Sequence, residues 1–310
     1  MIYALSMSDR WARRGFLRTL SAAAAATLLP RSGSGTAPAL RLGYAAITWE
    51  GKDEQAIDDI AAVGFHGIQL RSNIVAEWGE RSSELRGRLE QKGLALLCFS
   101  SGTVDADPAQ QNEYLETHVK HARFVKALGG ELLQLISRRP TGRAPTPEEF
   151  ERLGRLLTEI GRRTADLGVR LVYHHHMRAF GEAPDEIARV LDASDAKFVS
   201  LLLDIAHYQQ GGGEPVAAVS LHKERIAILH LKDVVSPLPG DARPPRESYR
   251  FVELGRGKVD VPGVIAAVAK IQFRGPAVIE LDAVPDPART PKDCAAINKQ
   301  YVVEKLGLTL

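Results

Sequence analysis

Four residues of the types that bind divalent cations stand at the ends of four successive apolar segments in the second half of the chain. Imidazole nitrogens and carboxylate oxygens are ligands that zinc, manganese and cobalt accept in proteins. A single such residue is more often a helix cap or an ordinary polar group. Four at equivalent positions predict one divalent-metal site, formed by His174, Asp204, His230 and Glu280.

Successive side chains of a strand point to opposite faces, which predicts the side on which each neighbour of these residues lies. His174 and His176 fall on one side of their segment, and His175 falls on the other. We expect His174 to point inward and His176 to lie one step further out, over a substrate. Glu280 and Asp282 also share a side, with Glu280 the deeper of the two.

A metal ion beside a carboxylate and histidines suits the removal of a proton from a carbon next to a keto group. The resulting enediolate needs a Lewis acid, which a divalent ion supplies. Glu280 is the candidate base, and His207 or His176 is the candidate proton donor. Loss of a hydroxyl from this intermediate gives a lyase, whereas return of the proton elsewhere gives an isomerase or epimerase.

A second group of residues is expected to contact a hydroxyl-rich substrate. Polar residues close the second, third and fourth apolar segments, and an indole after the first segment could stack on a sugar ring. A lysine two residues after His230 could polarise a substrate oxygen, although pairing with the adjacent Asp233 is the simpler expectation. The expected substrate-binding residues are Trp49, Gln69, Ser100, Gln134, Lys232 and Arg256.

These residues need a scaffold that brings strand ends together. After residue 40, short β-rich segments alternate with amphipathic helical segments, which predicts repeated βαβ units and a parallel sheet. Eight repeats within 40–310 predict a single-domain (β/α)8 TIM barrel, whose active sites lie at the strand ends. A doubly wound open sheet is the alternative, but no Gly-rich phosphate loop follows the first strand. The predicted strands are 42–47, 67–70, 94–99, 131–136, 169–173, 198–203, 226–231 and 276–281.

The helical segments carry their own end signals. Several are followed by a glycine, the residue that most often ends a helix. The predicted helices are 54–63, 83–92, 112–128, 147–167, 184–191, 261–271 and 291–306.

One connection is too long to be a turn. Between Leu231 and Val261 lie 29 residues, rich in Pro, Arg and Gly. Loops of more than about 15 residues are usually functional or disordered. The arginines would either make this segment a lid over a hydroxyl-rich or anionic substrate, or belong to a solvated charged loop. They are Arg243, Arg246, Arg250 and Arg256.

The first 39 residues have a different composition from the rest. Arg13 and Arg14 precede a short Ala-rich apolar stretch at 19–29, and Ala37-Pro38-Ala39 offers a cleavage site. This pattern predicts a cleaved twin-arginine export signal, with the export machinery as a partner and a periplasmic or secreted mature protein, 40–310. A disordered basic tail is the alternative.

Composition excludes several classes of protein. Lys plus Arg (40) nearly balances Asp plus Glu (38), so no basic field indicates nucleic acid. No apolar run reaches the roughly 20 residues that span a bilayer. Cys98 and Cys294, far apart in sequence, are expected to be free thiols. The sequence leaves open whether the protein is a monomer or a homo-oligomer.

The remaining histidines carry weaker signals. His118 and His121 are spaced i, i+3 on a predicted helix and are expected at the surface. His66 and His222 are expected to be structural.

Several segments resemble the inosose (2-keto-myo-inositol) dehydratases and, more widely, the xylose-isomerase-like barrels. The similar segments are 168–177 (GVRLVYHHHM), 201–207 (LLLDIAH), 230–233 (HLKD) and 278–280 (VIE), within a likeness that covers 42–306. The resemblance implies one divalent ion, Mn, Co, Mg or Zn, held by Glu, Asp, His and Glu. Asp204, His230 and Glu280 match three of these four ligands.

The fourth position departs from the superfamily pattern. Ketose epimerases have a Glu there that binds metal and moves a proton, whereas this chain has His174. A two-base epimerase mechanism thereby loses one base, which favours dehydration. The expected substrate is an unphosphorylated keto-sugar or inosose. The alternatives are a sugar isomerase or epimerase and a non-catalytic exported sugar-binding barrel; a metal-assisted endonuclease would need further ligands on the earlier strands.

Overall fold

The computed structural model describes residues 40–310 of the chain. The predicted export signal, 1–39, lies outside the described residues and stays a prediction. Within 40–310, no helix is both long enough and apolar enough to cross a membrane.

Eight parallel strands close into a barrel, in the order β1-β10-β7-β6-β5-β4-β3-β2. The barrel closes where β10 pairs with both β1 and β7. The predicted (β/α)8 architecture is therefore confirmed. The eight barrel strands are β1 (Arg41–Ala45), β2 (Gly67–Arg71), β3 (Ala95–Val104), β4 (Leu132–Ser137), β5 (Arg170–His174), β6 (Val199–Asp204), β7 (Ile226–Leu231) and β10 (Pro276–Ile279). Two short strands, β8 (Asp233–Val235) and β9 (Arg250–Val252), pair with each other outside the barrel.

The seven predicted helices are all present, with ends within two residues of the expected ones. Three short helices, α2, α7 and α8, were not expected, and three glycines at 211–213 separate α7 from α8. The helices are α1 (Asp53–Val63), α2 (Val75–Trp78), α3 (Ser82–Gln91), α4 (Gln111–Ala127), α5 (Pro147–Ala165), α6 (Pro184–Asp192), α7 (Ile205–Gln210), α8 (Pro215–Leu221), α9 (Val261–Lys270) and α10 (Pro291–Glu304).

Local sequence signals explain where these helices begin and end. Thr146 and Glu149 form a capping box at the start of α5, so that two backbone N–H groups gain partners. Gly64 ends α1 with φ of 99°, and Gly168 follows α5 with φ of 75°. Both lie in the left-handed region that glycine adopts without a steric penalty.

Two apolar layers hold the barrel together. The larger one lies between the strands and the surrounding helices. The smaller one fills the barrel interior below the strand ends, which leaves the interior solid and places polar chemistry at the C-terminal rim. The interior residues are Ala45, Leu97, Cys98, Leu132, Val172, Leu202, Ala227, Ile228 and Val278.

The long connection after β7 folds into an antiparallel hairpin of β8 and β9. Asp233 organises it by accepting backbone N–H groups from Val234, Gly255, Gly257 and Val259 at 2.8–3.0 Å. The predicted pairing of Asp233 with the neighbouring lysine is wrong, because these backbone contacts occupy its carboxylate.

Candidate metal centre

Four neighbouring strands bring the four predicted ligands to one point at the C-terminal rim. His174 and Asp204 close β5 and β6, His230 is the penultimate residue of β7, and Glu280 directly follows β10. Asp204 lies beside His230 in the strand register. All four side chains are buried, and their nearest ligand atoms lie within 4.8 Å of one another.

The atoms that face this common point lack hydrogen-bond partners. His174 Nε2 and His230 Nδ1 each lie 3.5 Å from Asp204 Oδ2, and His230 Nδ1 lies 3.4 Å from Glu280 Oε1. Within the described residues, His174 Nε2, His230 Nδ1 and Asp204 Oδ2 have no hydrogen bond. Buried polar atoms are nearly always paired. Three converging unpaired atoms of this donor type fit a divalent cation.

Helix α7 fixes the orientation of Asp204. Its Oδ1 accepts the backbone N–H groups of Ala206 and His207, each at 2.9 Å, as the N-cap of the helix. One carboxylate oxygen is thereby used for folding. The other, Oδ2, is left facing the centre.

The protonation of the cluster follows from burial and from its neighbours. Burial opposes ionisation of Asp204 and Glu280, but the neighbouring imidazole rings and the Lys232 ammonium hold both pKa values well below the usual range. Burial lowers the pKa of His174 to about 4, so its ring is neutral. Burial also opposes protonation of His230, but Glu280 and Asp204 raise its pKa to about 9. The carboxylates of Asp204 and Glu280 are therefore negatively charged, and the protonated side chains of His230 and Lys232 balance that charge.

Lys232 lies inside the cluster and is not exposed at the protein surface. It is fully buried, and its ammonium group lies 3.0 Å from Glu280, 2.5 Å from Asp282 and 3.3 Å from His207. These three partners use all of its N–H bonds. The lysine thereby balances the charge of the carboxylates, and its expected contact with substrate stays a prediction.

Gln69 and Gln134 are buried beneath the cluster and bind its histidines. Gln69 accepts the Nε2–H of His230 at 2.9 Å, and Gln134 donates to His174 Nδ1 at 2.8 Å. They support the cluster, and the expectation that they bind substrate hydroxyls stays a prediction. Ser100 is half-buried on the same strand face as Cys98 in the barrel interior and remains a candidate for substrate contact.

The two candidate proton donors stack on each other beside the cluster. The rings of His176 and His207 have centroids 3.8 Å apart. His207 is buried, and burial lowers its pKa well below the usual range. His176 is half-buried, and its Nδ1 lies 2.7 Å from the carbonyl oxygen of Met177. Its Nε2 makes no hydrogen bond to any residue of 40–310.

Two further predicted substrate residues lie elsewhere. Trp49 is buried, and its Nε1–H donates to Asp59 of α1, so neither ring face is open to a sugar. Arg256 lies 3.9 Å from Glu253 and is half-exposed. The turn after β1 directs the indole toward the helices, whereas the substrate contact expected of Arg256 stays a prediction.

Aromatic residues of the hairpin take the place expected for the indole. Phe251 lies under the Lys232 ammonium at 4.1 Å and edge-on to His207 at 4.8 Å. Tyr249 packs against Phe251 with ring centroids 5.5 Å apart. No pattern in the sequence marks these rings as part of the site, since only the folded hairpin brings them to the rim.

Two arginines of the long connection form ion pairs with acidic residues. Arg246 pairs with Glu182 at 2.7 Å, and Glu182 also binds Arg139 at 3.1 Å. Arg243 pairs with Asp241 within the loop. The Arg246–Glu182 ion pair joins the long connection to the loop after β5, so Arg246 has a structural role.

Outside the barrel, the prediction for His118 is wrong. His118 is buried, and its Nδ1 shares the Ser101 hydroxyl with Nδ1 of His121, at 2.7 and 2.8 Å. His222 is buried against Tyr208, whereas His66 is exposed. Both cysteines are buried free thiols, as predicted: Cys98 and Cys294.

Comparisons with known proteins agree with this fold. A family model described as "Xylose isomerase-like TIM barrel" matches residues 57–300. The chain is 28% identical to the rhizopine catabolism protein MocC of Rhizobium meliloti over 84% of its length and 86% of the relative's. It is 24% identical to an inosose dehydratase of Clostridium botulinum (strain Eklund 17B / Type B) over 87% and 98%. It also superimposes, at 18% identity, on the crystal structure of IOLI protein with a binding zinc atom, covering 86% and 97% with a TM-score of 0.72.

Proposed function

The chain belongs to the xylose isomerase-like TIM barrel family, and on that premise we propose that it is a divalent-metal-dependent dehydratase of an unphosphorylated keto-sugar or inosose. One observation carries the proposal: unpaired atoms of His174, Asp204 and His230 converge beside an ionised Glu280 at the barrel rim. A binding protein that performs no chemistry would not need to bury such a charged cluster, which is costly in free energy.

The relatives support a carbohydrate-acting enzyme of dehydratase or isomerase type. An inosose dehydratase of nearly the same length is similar along almost its whole chain. In this chain a histidine stands where a second carboxylate base would be needed for epimerisation, which favours removal of water over transfer of a proton between two faces. Addition of water is the same reaction in reverse.

The cluster would hold the cation through Asp204, His230 and Glu280, with His174 beside them. A bound divalent cation would act as a Lewis acid toward a keto oxygen and its neighbouring hydroxyl. Imidazole ligands favour Zn, Co or Mn over Mg. The structure with a zinc atom is similar in fold and supports a divalent ion without fixing its identity.

Glu280 is the proposed proton acceptor. Lys232 Nζ at 3.0 Å and Gln69 Nε2 at 3.3 Å hold its two oxygens in place. The same contacts keep it ionised at neutral pH and lower its basicity. Only a substrate whose C–H bond is already acidified by a neighbouring carbonyl would therefore give up its proton here.

His176 is the proposed donor of a proton to the departing hydroxyl. It is half-buried at the rim, and its Nδ1 is held by the Met177 carbonyl, so Nε2 can exchange protons with solvent and face a substrate. His207 is buried and neutral, and it lies against the Lys232 ammonium at 3.3 Å. It would orient His176 and Lys232 more readily than it would release a proton.

We further propose that the protein works outside the cytoplasm after twin-arginine export. The proposal rests on Arg13-Arg14 and the apolar stretch that follows. Replacing both arginines with lysines should retain the precursor in the cytoplasmic fraction. Unchanged export of that variant would contradict it.

A proton NMR time course in D2O tests the activity. Protein 40–310 with Mn²⁺ would be incubated with 2-keto-myo-inositol and with a 3-keto-glucoside, with and without chelator. Loss of a hydroxyl with deuterium exchange, abolished by chelator and by His230→Ala, is the expected result. Exchange that yields a new epimer or ketose would make the protein an isomerase, and no exchange despite bound metal would contradict the proposal for these substrates.

A further inference from the structure

Two glutamines join the two histidines of the cluster in one chain of hydrogen bonds. His230 Nε2 lies 2.9 Å from Gln69 Oε1, Gln69 Nε2 lies 3.0 Å from Gln134 Oε1, and Gln134 Nε2 lies 2.8 Å from His174 Nδ1. A carboxamide accepts at its oxygen and donates at its nitrogen. All links of the chain must therefore point in the same direction.

Glu280 fixes that direction. Gln69 Nε2 lies 3.3 Å from Glu280 Oε2 as well as facing Gln134. An ionised carboxylate only accepts, so the amide nitrogen of Gln69 must face it. Turning Gln69 over would place two oxygens against each other. With Gln69 fixed, Gln134 must present its oxygen to Gln69 and its NH2 group to His174.

The direction makes the two histidines unlike each other. His230 donates at Nε2, so its Nδ1 can offer a lone pair to the centre once the second ring proton has been displaced. His174 accepts at Nδ1, so its neutral ring carries the hydrogen on Nε2, which faces Asp204 Oδ2 at 3.5 Å. A ring nitrogen that carries hydrogen has no lone pair for a metal.

We propose that the Gln69–Gln134 chain keeps His174 as a hydrogen-bond donor beside a metal centre of only three protein ligands, Asp204, His230 and Glu280. The inference rests on the proposed function, since it presupposes a bound cation. It makes Gln69 and Gln134 positioning residues. It also leaves one more coordination position for substrate oxygens than a four-ligand centre would, with the His174 N–H beside it.

Gln134→Glu tests the proposal by reversing the last link. A carboxylate at 134 would accept from both Gln69 and His174 Nδ1, which moves the hydrogen and frees Nε2 as a fourth ligand. Zinc and cobalt should bind about 10- to 100-fold more tightly in a chelator-competition titration. Residues that hydrogen-bond to metal ligands typically change metal affinity by this factor. The cobalt absorption spectrum should also change as a nitrogen ligand is added.

The added charge is controlled for in the Gln134→Glu/His174→Ala double variant, which keeps the new carboxylate but lacks the ring that would become a ligand. Its zinc affinity should be no higher than that of the wild-type protein. Tightening that persists without His174 would show that charge alone is responsible and would overturn the proposal.

A variant without His174 distinguishes the proposed role of His174 from the existence of the metal centre. His174→Ala should change wild-type zinc affinity little and should cancel the gain in the Gln134→Glu background. If His174→Ala weakens wild-type binding as much as His230→Ala does, the proposal is overturned while the metal centre stands. If His230→Ala leaves zinc affinity unchanged, the metal centre itself is wrong.

A measurement on the wild-type chain needs no variant to fold. Long-range ¹H–¹⁵N correlations of ¹⁵N-histidine-labelled, metal-free protein report which ring nitrogen of each histidine carries hydrogen. His174 should be the Nε2–H form. The Nδ1–H form would overturn the proposal.

Discussion

The barrel carries two clusters of histidines, and they differ in the groups that surround them. Inside the rim, His174 and His230 lie against the carboxylates of Asp204 and Glu280. On the outside of β3, His118 and His121 share only the Ser101 hydroxyl. Burial lowers the pKa of His118 to about 3, whereas carboxylates raise the pKa of His230 to about 9 against burial. Buried carboxylates, not histidines as such, distinguish a cation site from a packed core.

The largest effect should come from removing the cation that already balances the inner cluster. Lys232→Met leaves Glu280 and Asp204 buried without their ammonium partner, which should lower the free energy of unfolding of metal-free protein by about 3–5 kcal/mol. Urea unfolding measures it, and added zinc should restore part of the loss. Lys223→Met, at an exposed lysine, should stay within about 0.5 kcal/mol. A loss no greater at Lys232 would contradict the electrostatic account.

Removing one carboxylate charge from the inner cluster should weaken its binding of a cation, as expected for histidines that lack carboxylate neighbours. Asp204→Asn keeps an oxygen to cap α7 but removes the charge that faces the centre. Zinc affinity should fall by more than about 100-fold, beyond the cost of losing a supporting partner. Asp282→Asn, which contacts Lys232 outside the four-residue cluster, is the control and should lose less than tenfold. Retention of zinc by Asp204→Asn would show that the histidines suffice.

The two clusters should also respond differently to pH. A cation must displace the proton on His230, so its affinity should rise about tenfold per pH unit between pH 7 and 9 and level off above the pKa of about 9. Calorimetry in buffers of different ionisation enthalpy should show about one proton released per ion at pH 7. An affinity independent of pH over this range would contradict the protonation assigned to His230.

The smallest effect should come from the outer cluster. Ser101→Ala leaves two ring nitrogens without their partner, which should cost about 1–3 kcal/mol of unfolding free energy and leave zinc affinity unchanged. Ser100 points toward the barrel axis, and its hydroxyl makes no hydrogen bond within the part of the chain that the structure describes, so Ser100→Ala should change stability less. A change in zinc affinity with Ser101→Ala would mean that the two clusters are coupled.

Period-two alternation and strand-end position were enough to predict the barrel and the residues that form its central cluster. The same alternation also places His230 and Lys232 on one face and Asp233 on the other, so the burial of Lys232 in the cluster could have been predicted. The spacing of Leu115, His118 and Ala122 likewise puts His118 on the buried face of α4.

Other features depend on contacts distant in sequence. Phe251 reaches the rim because Asp233 binds backbone groups near residue 257, more than 20 residues away. Trp49 turns away from the rim because a short helical turn follows β1 and Asp59 accepts its N–H. Neither contact leaves a periodic or compositional signal. Residues at the ends of regular strands were therefore predictable, and residues on turns and on the hairpin were not.

Anomalous diffraction from crystals of residues 40–310 soaked in stoichiometric zinc would show whether the cluster at the barrel rim binds a cation. We expect a single strong peak in contact with Asp204 Oδ2, His230 Nδ1 and Glu280 Oε1. A structure with no peak there, or with zinc bound instead at the histidines around Ser101, would contradict it.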